Sequence, residues 1–247
     1  MFIGLVDGDG YIAVTKTHLR DYISISLVLA LKDHDEPILK YIQSTLKMGR
    51  ISYYPATHTV KYIINRTDLQ ELLFPIMLHY NVSFLTLSRR TQFNLAMAIL
   101  TKNIKNFSLL EDLTSIVDYL PLPTTAIDYL KLPYFLNWIV GFTIAEGSFF
   151  IKASGDMCFQ LKQRREGHVL LFEAIKLVFN TSRQVSGQKY LQLSLSSVED
   201  IEKVVIFFSF SNLHPLLGLK SEQYNKWIGL MRHTKRFSHL KWPTTNK

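Results

Sequence analysis

The sequence predicts an α+β protein built from two pseudo-symmetric halves, each running α-β-β-α-β-β-α. Three observations carry that expectation. First, Phe2-Ile3-Gly4-Leu5-Val6-Asp7-Gly8-Asp9-Gly10 recurs past the middle as Ile139-Val140-Gly141-Phe142-Thr143-Ile144-Ala145-Glu146-Gly147. Gly4 aligns with Gly141, Gly8 with Ala145, Asp9 with Glu146 and Gly10 with Gly147. Second, the same succession of strand-like and helix-periodic stretches follows each copy. Third, a proline-punctuated connector carrying Pro121, Pro123 and Pro133 separates them. The expected divisions are a first half over 1–100, a packed linker over 101–133 and a second half over 134–247.

Each element has its own signal. After the first motif helix, residues 11–16 and 22–29 alternate apolar and polar side chains, as a half-buried strand pair does. Asp33 and Asp35 precede an apolar-periodic helix over 38–46, which Gly49 stops. Strands over 51–54 and 59–64 flank the turn at Pro55-Ala56; Thr67 or Asp68 then caps a helix to about Tyr80, and another begins near Ser88. In the second half the strands are 148–153 and 157–163, turned at Ser154-Gly155-Asp156, followed by a helix over 169–179. A second pair, 183–186 and 190–195, turns near Gly187, and helices over 198–208 and 220–231 close the chain. Eight strands are therefore expected.

Composition narrows the function. With 247 residues the chain suits one large or two ordinary domains, and a 47% hydrophobic content excludes general disorder. Lys and Arg number 28 against 20 Asp and Glu, a net charge of +8 that favours a polyanionic partner. The single cysteine, Cys158, has no partner for an internal disulfide and reads as a small apolar strand residue. The eight histidines are scattered, and no Cys/His set has zinc spacing. No apolar run reaches membrane-spanning length, and the first residues lack the charged and apolar zones expected of a signal peptide. The first helix begins so close to its acidic end that the chain is expected to be a fragment or processed product of something longer.

The duplicated acids point to chemistry. Gly4 with Gly8, and Gly141 with Ala145, are four apart and form small-residue strips on which two helix backbones can approach. Glycine inside a helix costs about 1 kcal/mol relative to alanine, so packing must offset it. Helices packed on these strips bring Asp9 and Glu146 out together at their C-terminal ends. Neighbouring carboxylates repel, and binding divalent cations relieves that repulsion. Mg²⁺ suits the arrangement because it takes few protein carboxylates and leaves positions to water and phosphate oxygens. The chemistry implied is metal-assisted phosphodiester hydrolysis. Asp7-Gly8-Asp9-Gly10 is not an EF-hand loop, since that frame would start on Leu5 and end on Lys16 where acids are required.

Both segments resemble the LAGLIDADG motif of homing endonucleases and the related group I intron maturases, in the single-chain, two-motif form. The resemblance implies a saddle-shaped antiparallel sheet in each half, lying in the DNA major groove, with the halves joined at a two-helix interface. It places the metal on Asp9 and Glu146 at the eighth motif position, with Gly8 and Ala145 before them in the metal set. A second repeat, Arg89-Arg90-Thr91-Gln92-Phe93 against Lys220-Ser221-Glu222-Gln223-Tyr224, opens a late helix in each half. The family often has a basic residue there that polarises water or the scissile phosphate. Lys220 fits this role; Arg89 is a substitute of fixed charge, for which a plain phosphate or surface contact is the alternative. Three departures stand out: Ile144 replaces an acid opposite Asp7, Thr143 takes the place of a larger apolar residue and is expected to loosen the helix seam, and the first helix is short.

The strands and turns interleave basic, amide and aromatic residues suited to nucleic acid. In the first half these are Lys16, Arg20, Lys32, Arg50, Tyr53, Tyr54, His58, Lys61 and Arg66. In the second they are Lys152, Lys162, Gln163, Arg164, Arg165, Arg183, Gln188, Lys189 and Gln192. Arg and Gln can read base edges while Lys contacts phosphates. The cluster Arg232-His233-Thr234-Lys235-Arg236 suits backbone contact. Two activities are open on this scaffold: a Mg²⁺-dependent, site-specific double-strand DNA endonuclease encoded by a group I intron and acting as a monomer, or a maturase that binds its intron RNA. A basic DNA-binding module without catalysis is the third reading. The Tyr-, Phe-, Ile- and Lys-rich composition suits a mitochondrial gene.

Overall fold

In the computed structural model of the chain, which describes residues 1–17, 20–110 and 116–243, each motif copy ends a helix and starts a strand. Helix α1 (Phe2–Asp9) gives way at once to β1 (Gly10–Lys16), and the chain falls into two compact units, Asp9–Leu122 and Met1–Gly8 with Pro123–Lys247.

The unit Asp9–Leu122 is a four-stranded antiparallel sheet with helices on one face. After β1 come β2 (Ile23–Lys32), α2 (Glu36–Leu46), β3 (Arg50–Tyr54) and β4 (Thr59–Asn65), in the sheet order β1-β2-β4-β3. Period-two alternation sends Ile12, Ile25, Leu27, Leu29, Val60, Tyr62 and Ile64 to the buried face, where they meet Ile38, Leu39 and Ile42 of α2 and Phe93 of α5 (Leu87–Thr101). Between β4 and α5 the helix expected over residues 67–80 is interrupted. Short α3 (Arg66–Asp68) passes through a π turn at Leu69–Leu73 into α4 (Phe74–His79), because Pro75 lacks the N–H that an unbroken α-helix would use. The chain beyond α5 is held to the start of β2: Ile23 N donates to Lys105 O at 2.8 Å and Phe107 N to Asp21 O at 2.8 Å. Connector residues 111–115 lie outside the described residues.

The second unit repeats the plan with one strand fewer. Short α6 (Ala126–Leu130), capped by Thr125, precedes motif helix α7 (Phe135–Glu146); then come β5 (Gly147–Ile151), β6 (Met157–Arg164), α8 (Val169–Val178), β7 (Tyr190–Leu195), α9 (Val198–Phe210) and α10 (Gly218–Arg232). The sheet order is β5-β6-β7. Phe149 lies with its ring centroid 5.1–5.7 Å from those of Phe159, Phe208, Tyr224 and Trp227, an aromatic core shared by sheet, α9 and α10. Cys158 is buried in β6 with its thiol pushed up by burial. The strand expected over 183–186 is corrected. Only Ser186 pairs, with Gln192, because Arg183 is drawn toward α9: its N–H goes to Thr181 Oγ1 at 3.1 Å and its Nε to Asp200 Oδ2 at 3.3 Å. Seven strands, not eight, are present among the described residues. No helix among them is long and apolar enough to cross a membrane.

Within this unit, α1 and α7 touch backbone to backbone. A Cβ on Gly4 would run into the Trp138 carbonyl and come within 2.9 Å of Phe142 N; one on Gly141 would meet the Met1 carbonyl and come within 2.8 Å of Leu5 N. The seam is dry. Asp7 is 1% exposed and accepts a hydrogen bond from Trp138 Nε1 at 2.7 Å, while Trp138 stacks on Phe142. Thr143 is fully buried and its hydroxyl has no hydrogen-bond partner. Two substitutions of similar size should therefore act in opposite directions. Gly141→Ala should cost about 3 kcal/mol, since rigid backbone must retreat, whereas Thr143→Val should add about 1 kcal/mol by removing a buried unsatisfied hydroxyl. Urea unfolding of both variants checks this; a neutral Gly141→Ala would show that the helices are not in backbone contact.

Candidate active site and nucleic-acid face

Glu146 is the last residue of α7, and Gly147 leaves helical geometry at once, with φ −78° and ψ 156°. The acid is half-buried at the junction of helix and sheet. A Cβ on Gly8 would press on Ala145 and come within 3.2 Å of Glu146 Cγ, so the small residues of the motif keep α1 against this end of α7. Lys220, in the first turn of α10, donates from Nζ to the Gly147 carbonyl oxygen. The structure thus brings the expected cation to the residue that follows the expected acid.

The other unit has the same parts on a different tether. Asp9 is exposed at the end of α1, and β1 starts with the next residue. Arg89, in the first turn of α5, donates from Nη1 to Gln92 Oε1 at 2.7 Å; that oxygen also accepts from the backbone N–H of Ile12 at 2.8 Å. Gln92, which sequence reasoning passed over, thereby joins the candidate site. Its alignment with Gln223 was visible, but a bond across 80 positions has no local signature. Asp7 with Trp138 was missed for the same reason.

The donor set suits a hard divalent cation. Asp9 and Glu146 each close a helix at its negative end, where added carboxylate charge favours a cation. Among the described residues no group of three or more His, Cys, Asp or Glu could hold a metal.

Register sorts the nucleic-acid candidates by face. In the first sheet Lys32, Arg50 and Lys61 stand on the open face, beside Ser24, Ser26, Ser52 and Tyr54; Lys61 Nζ lies 4.5 Å from the Tyr54 ring centre. Tyr53 stands on the other face, in register with buried Val60, and its hydroxyl donates to Glu36 Oε1 of α2 at 2.5 Å. Lys16 pairs with Asp21 at 2.9 Å at the strand end, Arg20 is exposed in the turn, and Arg66 reaches the Ile23 carbonyl at 3.4 Å. In the second sheet Lys162, Arg164 and Gln192 share the open face with Gln160 and Ser194, and Lys162 lies over Tyr190. Gln163 is in register with buried Leu191, on the covered side. Lys152 bonds Ser196, Arg165 bonds the Gly187 carbonyl and Arg183 pairs with Asp200, while Gln188 and Lys189 are exposed in the turn before β7.

The profile of the LAGLIDADG endonuclease family matches residues 2–100 and 139–231, taking in both motif copies and both sheets. The chain belongs to the LAGLIDADG endonuclease family. A relative in Dictyostelium discoideum, described as a probable intron-encoded endonuclease aI3, is 27% identical over 221 residues, 89% of this chain and 90% of the relative. Among solved structures, the LAGLIDADG meganuclease I-AabMI bound to uncleaved DNA superposes with a TM-score of 0.70 at 21% identity, covering 97% of this chain and 92% of that one. I-SmaMI, bound to an uncleaved DNA target in the presence of calcium ions, gives 0.68 at 19% identity over 93% and 88%. These likenesses establish the fold, and the family match runs through both α1 and α7.

The Tyr53 assignment can be tested by titration. Its hydrogen bond to the Glu36 carboxylate raises the phenol above its ordinary range, because ionising it would place two anions in contact. Replacing Glu36→Gln removes that charge, so one tyrosine should ionise at lower pH, followed by absorbance at 295 nm. The change should vanish in a Tyr53→Phe background.

Proposed function

We propose that this protein is a site-specific, double-strand DNA homing endonuclease encoded by a group I intron, acting as a monomer on duplex DNA. The observation that carries the reading is the duplication within an endonuclease family: each unit supplies one helix-terminal acid, Asp9 or Glu146, and one cation, Arg89 or Lys220, at the start of a late helix. Two half-sites on one chain match two strands to be cut.

Asp9 and Glu146, with Gly8 and Ala145 before them, would hold Mg²⁺, which takes few carboxylates and keeps waters and phosphate oxygens. When bound, such an ion supplies Lewis-acid charge at phosphate and lowers the pKa of a coordinated water. Lys220, anchored on the Gly147 carbonyl, presents its ammonium one residue from Glu146, where it stabilises charge developing on a phosphate oxygen. Arg89 acts by charge and by its donor fork alone, since a guanidinium does not give up a proton. The open sheet faces, with Lys32, Arg50, Lys61, Lys162, Arg164 and Gln192, suit the phosphates and base edges of a groove. A mitochondrial intron as the gene's location is supported by the composition and by the intron-encoded relative.

The test is cleavage of the joined exons that flank the chain's own intron, with and without Mg²⁺. Asp9→Asn and Glu146→Gln should each lower double-strand cutting by roughly a hundredfold or more while DNA binding persists. Tight DNA binding without metal-dependent cutting would sink the endonuclease reading and move the assay to intron RNA, the maturase case. On the binding face, Lys61→Ala should weaken binding and reduce the slope of log affinity against log salt by about 1, measured by titration at several salt concentrations. Tyr53→Phe should leave both unchanged.

A further inference from the structure

We propose that Gln92 is a positioning residue for Arg89, and that the two half-sites hold their cations by different means, so that the two strand cuts respond differently to the same lesion. This rests on the endonuclease reading above. In one unit Lys220 is bonded straight to the backbone, at the Gly147 carbonyl. In the other, Gln92 Oε1 stands between Ile12 N, at 2.8 Å, and Arg89 Nη1, at 2.7 Å, using both lone pairs of one oxygen. Ile12 lies three residues beyond Asp9 on β1, so this oxygen ties the guanidinium to the strand that the acid opens. The aligned Gln223, three residues after Lys220, is exposed.

The choice of glutamine has a physical reason. A free arginine side chain loses much rotamer freedom when it must hold one pose, and a fixed acceptor removes that loss in advance. A carboxylate acceptor would hold it as well but would cancel its charge. A neutral amide oxygen takes up one of five guanidinium donors and leaves the positive charge uncancelled by that bond.

The experiment uses the whole chain in excess over a supercoiled plasmid carrying the joined-exon target, with Mg²⁺, following nicked and linear products and each end-labelled strand. Gln92→Met should slow one strand by roughly tenfold to a hundredfold and accumulate nicked circles, with DNA affinity within about twofold of wild type. Gln223→Met should cut both strands as wild type does. In an Arg89→Met background, Gln92→Met should add nothing to the slowing of that strand, whereas a merely structural glutamine would cost the same in both backgrounds. Should Gln92→Met fail to fold, Gln92→Asn, one methylene shorter, carries the same comparison. Even slowing of both strands, no slowing, or additivity with Arg89→Met overturns the proposal while leaving the endonuclease intact. A wild-type chain that cuts neither strand overturns the reading beneath it.

Discussion

Backbone contact between α1 and α7, made where Gly4 faces Trp138 and Phe142 and Gly141 faces Met1 and Leu5, governs what every neighbouring residue can be. At that separation no side chain fits between the helices, so positions 4 and 141 must be glycine, and Gly8 is met by a residue no larger than Ala145. Asp7, Trp138, Phe142 and Thr143 beside the strip are shut away from water. Asp7 is tolerable there because Trp138 Nε1 meets its carboxylate. Thr143 is the seam's weak point, with a dry hydroxyl that has no partner. Each helix ends on its acid and the next glycine, Gly10 or Gly147, opens a strand, which sets the carboxylate at a helix–sheet boundary.

The halves have kept a backbone plan while their details diverged. Both run from an acid-terminated helix into an antiparallel sheet and on to a late helix that opens with a cation. One sheet has four strands and the other three, because Arg183 and Thr181 are engaged by Asp200 at the start of α9 rather than by β7. One cation sits directly on a carbonyl, and the other is held through a side-chain amide. Duplication preserves what packing demands; polar tethers have several equivalent solutions and drift.

The sheets divide the candidate contacts by register. Directly opposed residues in an antiparallel pair share a face. Lys61 therefore stands with Tyr54 and Ser52 on the open side of the first sheet, and Tyr53 does not, although both tyrosines looked equivalent in sequence. Several other basic residues hold intramolecular partners, Lys16 with Asp21 and Arg183 with Asp200 among them. A basic strand residue is thus a candidate for nucleic acid only once its face and its partners are known.

The sequence alone determined the duplicated motif with its repeated acid, the repeated cation of the late helix, and the elements in order save the strand at 183–186, because these are written in local periodicity and in repeats visible along the chain. It also marked the small-residue strips. Only the tertiary structure decided that residues 183–186 leave the ladder, that Pro75 is met by a π turn, that Tyr53 faces α2, that Asp7 is answered by Trp138, and that Gln92 joins Arg89 to β1. The physical reason is common to all but the proline. A polar group takes its partner from whatever the fold brings within about 3 Å, and here that partner stands as far as 131 residues away in the chain.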